Sequence, residues 1–333
     1  MKSIRVRPAA VGAFAVLIFL MMPLPAAAAA QPSPFIRGVY GKDGSSSGYA
    51  YVAASGFNSV MTGPYSELLD GVTSAGLRGV VWLGNFINAP KCNFEKDDAT
   101  VTRLVRSVSG NPAVVAYYLG DEPHVTECPG APKRFRERSA LVHSLDPAAR
   151  TFTVIQASEN GVSHDYAPWA GSVDVIGFDV YPCVRSSNTC NFGAIDSAIS
   201  AINSAGIKNY WAILQDFQDC YYRLPKPAEL ASQFDHWSRS NMSGYFVFSW
   251  NYQPANPSCT GVSLDAYGAN VAQLKNENSR VFKPGGGEST GSADTAGATP
   301  EAPIVAFVIV GLALGALSLL ALRAIPRRGL HRS

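Results

Sequence analysis

The sequence lacks the motifs of several common protein classes. No Gly-x-Gly-x-x-Gly follows its first apolar run, which argues against a dinucleotide-binding open sheet. No Cys-x-x-Cys and no Cys and His cluster with ligand spacing is present, so neither a metal site nor a cofactor is predicted. An excess of charge of one sign is also lacking, since 27 Lys and Arg stand against 25 Asp and Glu. Without a basic stripe in the body of the chain, a nucleic-acid partner is not expected.

The N-terminal segment has the layout of a secretory signal peptide. Basic residues precede an apolar run at 9–24, and alanines at 26–30 end it just before Gln31. This order predicts a signal peptide over residues 1–30, cleaved before Gln31. An uncleaved anchor helix is the alternative, but the run is short for a membrane span and ends in prolines.

The C-terminal segment predicts a membrane anchor. Residues 303–322 carry no charge, and a stretch of this length can cross a hydrocarbon core of about 30 Å. Arginines follow in a tail at 323–333, which predicts that the tail is cytoplasmic and the body lies outside. Residues 284–302 are rich in Gly, Ser, Thr and Ala, a composition typical of a flexible linker. The membrane is therefore a predicted partner, and the body is predicted to stand on the cell surface.

Eight short apolar runs in the body of the chain, residues 31–283, predict β-strands. They are rich in β-branched and aromatic residues. Most are continuously apolar, as expected when both faces of a strand are covered. The runs lie at 36–40, 58–62, 79–83, 114–119, 151–156, 173–178, 210–214 and 244–250.

Helical patterns fill most of the gaps between these runs. They lie at 65–75, 97–108, 133–145, 194–204, 228–240 and 264–276, with less clear patterns at 48–54 and 160–169. Strands that alternate with helices indicate parallel βαβ units. Eight such units predict one (β/α)8 barrel, or TIM barrel, of the α/β class, and a doubly wound open sheet is the alternative.

Carboxyl, amide and aromatic side chains concentrate where the predicted strands end. In α/β barrels the functional site lies at these carboxyl ends, so side chains from separate strands should meet there. The ends carry Trp82 and Asn85 (third strand), Asp121 and Glu122 (fourth), Asp179 and Tyr181 (sixth), Gln215 and Asp216 (seventh), and Trp250 and Asn251 (eighth).

These residue types suit the cleavage of a polysaccharide or oligosaccharide. One carboxylic acid protonates the leaving oxygen, and a second carboxylate attacks the sugar or activates water. We predict Glu122 as the acid, with Asp179 or Asp216 as the second carboxylate. The predicted substrate-binding residues are Asp121, Gln215, Tyr181, Trp250, Asn251, Asn85 and Trp82.

All six cysteines also fall on loops that follow predicted strands. An even number in an exported protein predicts disulfides, and zinc binding is the alternative. The sequence alone cannot choose among the possible pairings of six cysteines. Because adjacent loops on one face can be bridged, we favour the pairs Cys92–Cys128, Cys183–Cys190 and Cys220–Cys259.

Three segments resemble strand motifs of the barrel glycoside hydrolases. Tyr-Tyr-Leu-Gly-Asp-Glu-Pro at 117–123 resembles their fourth-strand motif, whose Glu is the general acid/base, and this resemblance implies that role for Glu122. Residues 175–182 and 246–250 resemble the sixth and eighth strands. The resemblance covers residues 35–282 and implies a TIM barrel with glycosidase activity, without identifying an individual family.

The chain departs from that pattern at two places. Retaining members of the largest clan carry Asn-Glu on the fourth strand, where this chain has Asp121 before Glu122. They also carry a nucleophilic Glu at the end of the seventh strand, where this chain has Gln215 and Asp216. Three functions therefore stay open: a membrane-anchored extracellular glycoside hydrolase, a catalytically inactive carbohydrate-binding barrel, and a structural role in adhesion.

Overall fold

The structure, a computed structural model, describes residues 35–41, 46–159, 162–163, 165–252, 254 and 256–282. The predicted signal peptide (1–30), linker (284–302), membrane helix (303–322) and basic tail (323–333) lie outside the described residues. Among the helices that are described, none combines the length and the apolar character needed to span a bilayer.

Eight parallel strands close into a barrel, as the sequence predicts. Each strand pairs with its neighbours in sequence, and the first strand pairs with the eighth. The strands are β1 (Ile36–Val39), β2 (Ser59–Thr62), β3 (Arg78–Trp82), β4 (Val114–Tyr118), β5 (Arg150–Gln156), β6 (Val175–Asp179), β7 (Tyr210–Gln215) and β8 (Gly244–Phe248). The doubly wound alternative is therefore excluded.

Helices follow the strands and cover the outside of the barrel. The α-helices are α1 (Ser46–Ala54), α2 (Ser66–Ser74), α3 (Asp98–Val108), α4 (Ala131–Leu145), α5 (Gly193–Ser204), α6 (Pro227–Ser238) and α7 (Gly268–Asn278). The unclear pattern at 48–54 belongs to a helix, while the described part of 160–169 holds only the short 3-10 helix Ala167–Trp169. The six clear helical patterns each match an α-helix to within a few residues.

Alternate side chains along the strands build two separate cores. One set fills the barrel and includes Tyr118, Phe152, Trp211 and Phe246. The other set lies between the strands and the helices. On β6, Val175 belongs to the inner set and Ile176 to the outer one, so Asp179 shares the inward direction of Val175.

A glycine on β6 leaves room for the large rings inside the barrel. A Cβ at Gly177 would lie 2.9 Å from the Phe152 ring and 2.8 Å from Val154. Atoms this close would force the interior to shift, so a side chain at this position is excluded by packing. The interior face of β6 therefore carries no side chain at position 177, directly below Asp179 at the carboxyl end of the strand.

The three disulfides lie in the loops at the carboxyl ends of the strands. The bonded pairs are Cys92–Cys128, Cys183–Cys190 and Cys220–Cys259, which confirms the predicted pairings. Two of the bonds connect the loops of different strands, 36 and 39 residues apart in the chain. Such links restrict the unfolded chain and fix the shape of the loops around the barrel mouth.

Candidate active site at the barrel mouth

Glu122 lies just beyond β4 on a strained main chain. Its φ angle is 39°, a left-handed conformation that non-glycine residues rarely adopt. Asn88 holds this segment from the neighbouring loop, because its amide donates to the Glu122 carbonyl (3.0 Å) and accepts from the His124 N–H (2.7 Å). Strain of this kind persists where surrounding contacts enforce it, and it concentrates at functional sites.

The Glu122 carboxyl is positioned by two polar neighbours. Gln156, the last residue of β5, donates from Nε2 to Glu122 Oε2 at 2.6 Å. Asp179, the last residue of β6, lies close enough for its carboxyl to hydrogen-bond that of Glu122. Two carboxyl groups can share such a bond only when one of them holds a proton. Side chains from three neighbouring strands therefore form one hydrogen-bonded group.

The surroundings of Asp179 favour its protonated form. Its side chain is only 4% exposed, and burial is the main reason why its pKa is raised well above the usual value. The negative charge of Glu122, the hydrogen bond to Glu122 and the charge of Asp121 raise the pKa of Asp179 further. The pair with Glu122 thus holds one proton, which can serve as the proton of an acid catalyst.

A second hydrogen-bonded chain reaches Asp121 from the floor of the mouth. The Tyr118 hydroxyl donates to Asp121 Oδ1, and the Tyr40 hydroxyl is hydrogen-bonded to Tyr118. Burial and the charge of Glu122 raise the pKa of Asp121 to about 7, against the lowering effect of the Tyr118 hydrogen bond. Burial and the nearby carboxylates raise the pKa of both tyrosines, so their hydroxyls stay neutral donors.

Aromatic rings form one wall of the mouth beside these carboxyls. Tyr181 contacts Phe217 and Tyr222, with ring centroids 4.9 and 5.4 Å apart. Phe217 also contacts Phe248 (5.0 Å) and Tyr252 (5.3 Å). Phe217 is buried, whereas the other four rings keep part of their surface exposed. Burial, and then the charges of Asp179 and Glu122, raise the pKa of Tyr181, which indicates that its hydroxyl lies near both.

Three further predicted substrate-binding residues, Trp82, Asn85 and Asn251, lie at the carboxyl ends of their strands and keep part of their surface exposed. The half-buried Trp82 packs edge-on against Tyr118, with ring centroids 4.7 Å apart. Asn85 is exposed at the start of the loop after β3. The side-chain oxygen of half-buried Asn251 has no hydrogen-bond partner within the described residues.

Gln215 is placed differently from the prediction. Its side chain is fully buried at the end of β7, and both the oxygen and the nitrogen of its side-chain amide form hydrogen bonds with the main chain. It accepts from the Cys183 N–H (2.8 Å) and donates to the carbonyls of Cys183 (3.0 Å) and Arg223 (2.9 Å). It therefore joins two loops rather than facing a ligand, and we do not include it among the proposed substrate contacts.

Asp216 does not join the carboxyl pair. It is fully buried, and Oδ1 accepts from Asn270 of α7 at 2.7 Å, which places the side chain on the helix side of β7. Burial raises its pKa to about 7, while the Asn270 hydrogen bond lowers it, and neither Glu122 nor Asp179 affects it appreciably. The geometry thus separates Asp216 from the candidate second carboxylate Asp179.

We expect Asp216→Asn to stabilise the protein at alkaline pH. A free Asp has a pKa of about 3.9, so between about pH 4 and 7 the folded state binds more protons and loses stability as the pH rises. An amide keeps the shape and removes this loss, raising the free energy of unfolding by about 2–4 kcal/mol at about pH 8. Urea unfolding at about pH 4 and 8 measures the change. Exposed Asp70→Asn is the control, and an equal gain at both pH values would contradict the argument.

Trp250 is also placed away from the mouth. Its side chain is fully buried and contacts the rings of Tyr51 (5.3 Å) and Phe57 (6.2 Å), both in the outer layer that covers the barrel. A buried ring offers no face to a sugar. Trp250 therefore packs the end of β8 against that layer and is left out of the proposed site.

Sequence reasoning missed Tyr40, Tyr118, Gln156 and Asn88. Tyr40 follows β1 directly and Gln156 ends β5, so the strand-end rule that found Glu122 could have found both. Tyr118 lies inside the segment that resembles the fourth-strand motif of the glycoside hydrolases, and its position in an apolar strand predicts a core residue. The loop position of Asn88 gives no signal, because its contact with Glu122 joins residues 34 positions apart.

The carboxyls of the mouth do not converge as metal ligands do. Among the described residues, a close group of three potential ligand atoms occurs only at Cys183, Cys190 and Glu229, and both cysteines are consumed by a disulfide. Asp121, Glu122 and Asp179 do not form such a group.

Comparison by sequence finds no matching protein family and no matching curated protein. Comparison by structure finds similar barrels in larger proteins. A glycoside hydrolase family 2 β-galacturonidase from Eisenbergiella tayi, bound to galacturonate, matches with a TM-score of 0.57 and 14% identity over 74% of this chain and 51% of its own. A β-galactosidase from Bacillus circulans sp. alkalophilus gives 0.57 and 8% over 74% and 55%.

A β-galactosidase from Marinomonas ef1 gives a TM-score of 0.53 and 9% identity, over 74% of this chain and 62% of its own. The chain thus spans between half and two thirds of the length of these proteins. At such low identity the likeness concerns the fold. The body of this chain is a (β/α)8 barrel of the kind found in these glycoside hydrolases.

Proposed function

We propose that the protein is a glycoside hydrolase that cleaves a polysaccharide or oligosaccharide outside the cytoplasm. The observation that carries this proposal is the meeting of Glu122 and Asp179, from different strands, at the barrel mouth. Cleavage of a glycosidic bond requires two carboxyl groups, one protonated to act as the acid and one ionised to act as the nucleophile or base. The neighbouring aromatic wall supplies apolar ring faces of the kind that pack against a pyranose.

In this proposal Glu122 protonates the glycosidic oxygen and Asp179 attacks the anomeric carbon as a carboxylate. The hydrogen bond between them lets their single proton pass from Asp179 to Glu122 when a substrate arrives. Gln156 keeps the Glu122 carboxyl oriented, and the hydroxyls of Tyr118 and Tyr40 lie within the same network. Each chemical role thus falls to a group already held in position.

The contact between the two carboxyls favours a retaining reaction. Inverting enzymes separate their carboxyls by about 6.5–9.5 Å so that a water molecule fits between them, whereas retaining enzymes bring them to about 5 Å. Carboxyls that hydrogen-bond each other leave no room for that water. The anomeric configuration of the substrate should therefore be preserved in the first product.

The location outside the cytoplasm is part of the proposal. Three disulfides on the loops of the mouth suit an oxidising compartment. The predicted signal peptide and the predicted span at 303–322 would export the body and tether it to the membrane. A tethered barrel would act on polymers at or near the cell surface.

Incubation of the purified body with a broad panel of glycans tests this function. We expect reducing ends to appear for at least one glycan, with NMR showing the original anomeric configuration in the first product. Exposed Glu67→Gln on α2, a matched loss of one negative charge, should leave the rate unchanged. Binding without product for every retained glycan would contradict hydrolysis and favour the alternative of an inactive carbohydrate-binding barrel.

A further inference from the structure

Two arginines point into the barrel at its amino end, opposite the mouth. Arg78 and Arg150 are the first residues of β3 and β5. Val80 on β3 and Phe152 on β5 belong to the inner core, and each arginine lies two residues earlier, so it shares their inward direction. Inward residues of alternate strands form common layers in such a barrel. The two arginine side chains therefore occupy the same layer at the amino end.

The neighbouring positions and a ring contact support these directions. A Cβ at Gly79 would lie 3.0 Å from a leucine of α2, so position 79 faces the helices. Thr151 faces them as well, because its hydroxyl is hydrogen-bonded to a serine of α4 at 2.8 Å. The Arg150 guanidinium carbon lies 5.7 Å from the ring centroid of Trp211, another member of the inner core. Both arginines thus reach the interior of the barrel.

Neither guanidinium has an ion-pair or hydrogen-bond partner within the described residues. The Arg ion pairs found there all use other arginines, and the Nε atom of Arg78 is buried without an acceptor. Asp174 is the acidic residue whose charge acts on Arg150. Its Oδ2 is already occupied, because it accepts from the Thr151 N–H (2.7 Å) and hydroxyl (2.8 Å) and is hydrogen-bonded to His143 (2.7 Å). The donors of Arg78 and Arg150 therefore stay available to a ligand.

The charges and the shape of the two groups narrow the choice of ligand. Both arginines are half-buried and positively charged, so they repel each other, and the charge of Arg78 adds to burial in lowering the pKa of Arg150. Each guanidinium offers a planar fork of N–H donors that matches the oxygens of a carboxylate or a phosphate. A carboxylate brings one negative charge, whereas a phosphate monoester brings about two, one for each arginine.

We propose that Arg78 and Arg150 form a phosphate-binding site at the amino end of the barrel, separate from the carboxyls of the mouth. This inference does not depend on the proposed hydrolysis. The phosphate could belong to a soluble ester or to the headgroup of a phospholipid. Phe282, where the described chain ends, stacks on Phe35 directly before β1, with ring centroids 5.1 Å apart. The predicted linker to the membrane thus follows from the same end of the barrel, so a lipid phosphate is tested beside a soluble one.

Thermal unfolding in the presence of methyl phosphate tests the site. The titration is run at about pH 7.5, where a phosphate monoester is doubly charged, with chloride added to hold the ionic strength constant. At about ten times its dissociation constant, methyl phosphate should raise the thermal midpoint by about 3–6 °C. Acetate at the same concentration should raise it less, because it carries a single charge.

Substitution of either arginine should weaken the effect of the anion. Arg78→Gln and Arg150→Gln should each raise the dissociation constant for methyl phosphate by about tenfold or more. In chloride alone neither variant should lose much stability, because removal of one cation ends the repulsion between the two. Arg106→Gln, an exposed position on α3, is the matched control and should keep the full gain. The two variants report separately, so the test stands if only one of them folds.

A short-chain phosphatidic acid, used below its micelle concentration, separates the two sources of phosphate. Tighter binding than that of methyl phosphate, with the same loss in Arg78→Gln, would identify a lipid headgroup. Equal binding of the two compounds would identify a soluble ester, and both results support the site. No rise of the midpoint beyond that in chloride, or an equal rise in the wild type and in Arg78→Gln and Arg150→Gln, would overturn the inference.

Discussion

Glu122→Gln is expected to lower kcat/KM for an unactivated glycan by about 10²–10⁴-fold. The amide cannot protonate the glycosidic oxygen, yet it has nearly the same shape and can still accept from Gln156. The loss should therefore arise from chemistry rather than from misfolding. Steady-state kinetics on the glycan found by the panel measures it, with the thermal midpoint as the check on folding.

The leaving group separates an acid role for Glu122 from a merely structural one. The dinitrophenolate group of a dinitrophenyl glycoside leaves without needing a proton. The variant should therefore lose much less activity on this substrate than on the glycan. The pH dependence should change as well, because the acidic group that controls the glycan reaction would be gone. Equal losses on both substrates, or full activity on the glycan, would argue against Glu122 as the acid.

The fold was accessible from the sequence because its signals are local and repeated. Continuously apolar strands that alternate with amphipathic helices predict a parallel barrel. An error in the predicted boundary of one strand or helix affects only that strand–helix unit. The loop order around the closed sheet then makes the pairing of Cys92 with Cys128, and of Cys220 with Cys259, a matter of neighbouring loops. The pattern at 160–169 was unclear in the sequence, and its described part holds only the short 3-10 helix Ala167–Trp169.

The candidate site was accessible only in part, because the direction of a side chain at a strand end depends on single-residue register. Asp179 and Asp216 both follow apolar strands, but Asp179 continues the inward row of β6, whereas Asp216 contacts Asn270 on the helix side. Gln215 and Trp250 read equally well as ligand contacts and as buried structural residues. Only their neighbours in space, such as the carbonyls that bind Gln215, decide between these readings.

The buried carboxyls of the mouth link function to stability. Asp121, Asp179 and Asp216 are acidic groups whose pKa values are raised in the folded protein, mainly by burial. Each one contributes stability when protonated and loses it as the pH rises through its folded pKa. Asp216 shows that burial alone suffices for this effect. At the mouth, Asp121 and Asp179 lower the stability in the same way as the pH rises. Such a cost is expected where residues are selected for activity rather than for stability.

Asp179→Asn should have the largest effect of the substitutions considered. Removal of a carboxylate that attacks the anomeric carbon lowers kcat by about 10⁵-fold, the order of loss that follows removal of a covalent nucleophile. In contrast to Glu122→Gln, a better leaving group should not restore the rate, because the bond to the sugar cannot form. Restoration of activity on a dinitrophenyl glycoside would show that the roles of Asp179 and Glu122 are reversed.

Stability and additivity provide the two controls on this expectation. Because burial and the charge of Glu122 raise the pKa of Asp179, the amide should raise the thermal midpoint at about pH 8 and change it little at about pH 4. An inactive variant that is also more stable cannot owe its inactivity to unfolding. The double variant with Glu122→Gln should be no less active than Asp179→Asn alone, since the two carboxyls act through one shared proton. Fully multiplicative losses would mean that Glu122 and Asp179 act independently, and the shared-proton pair at the mouth would then be the wrong description of the site.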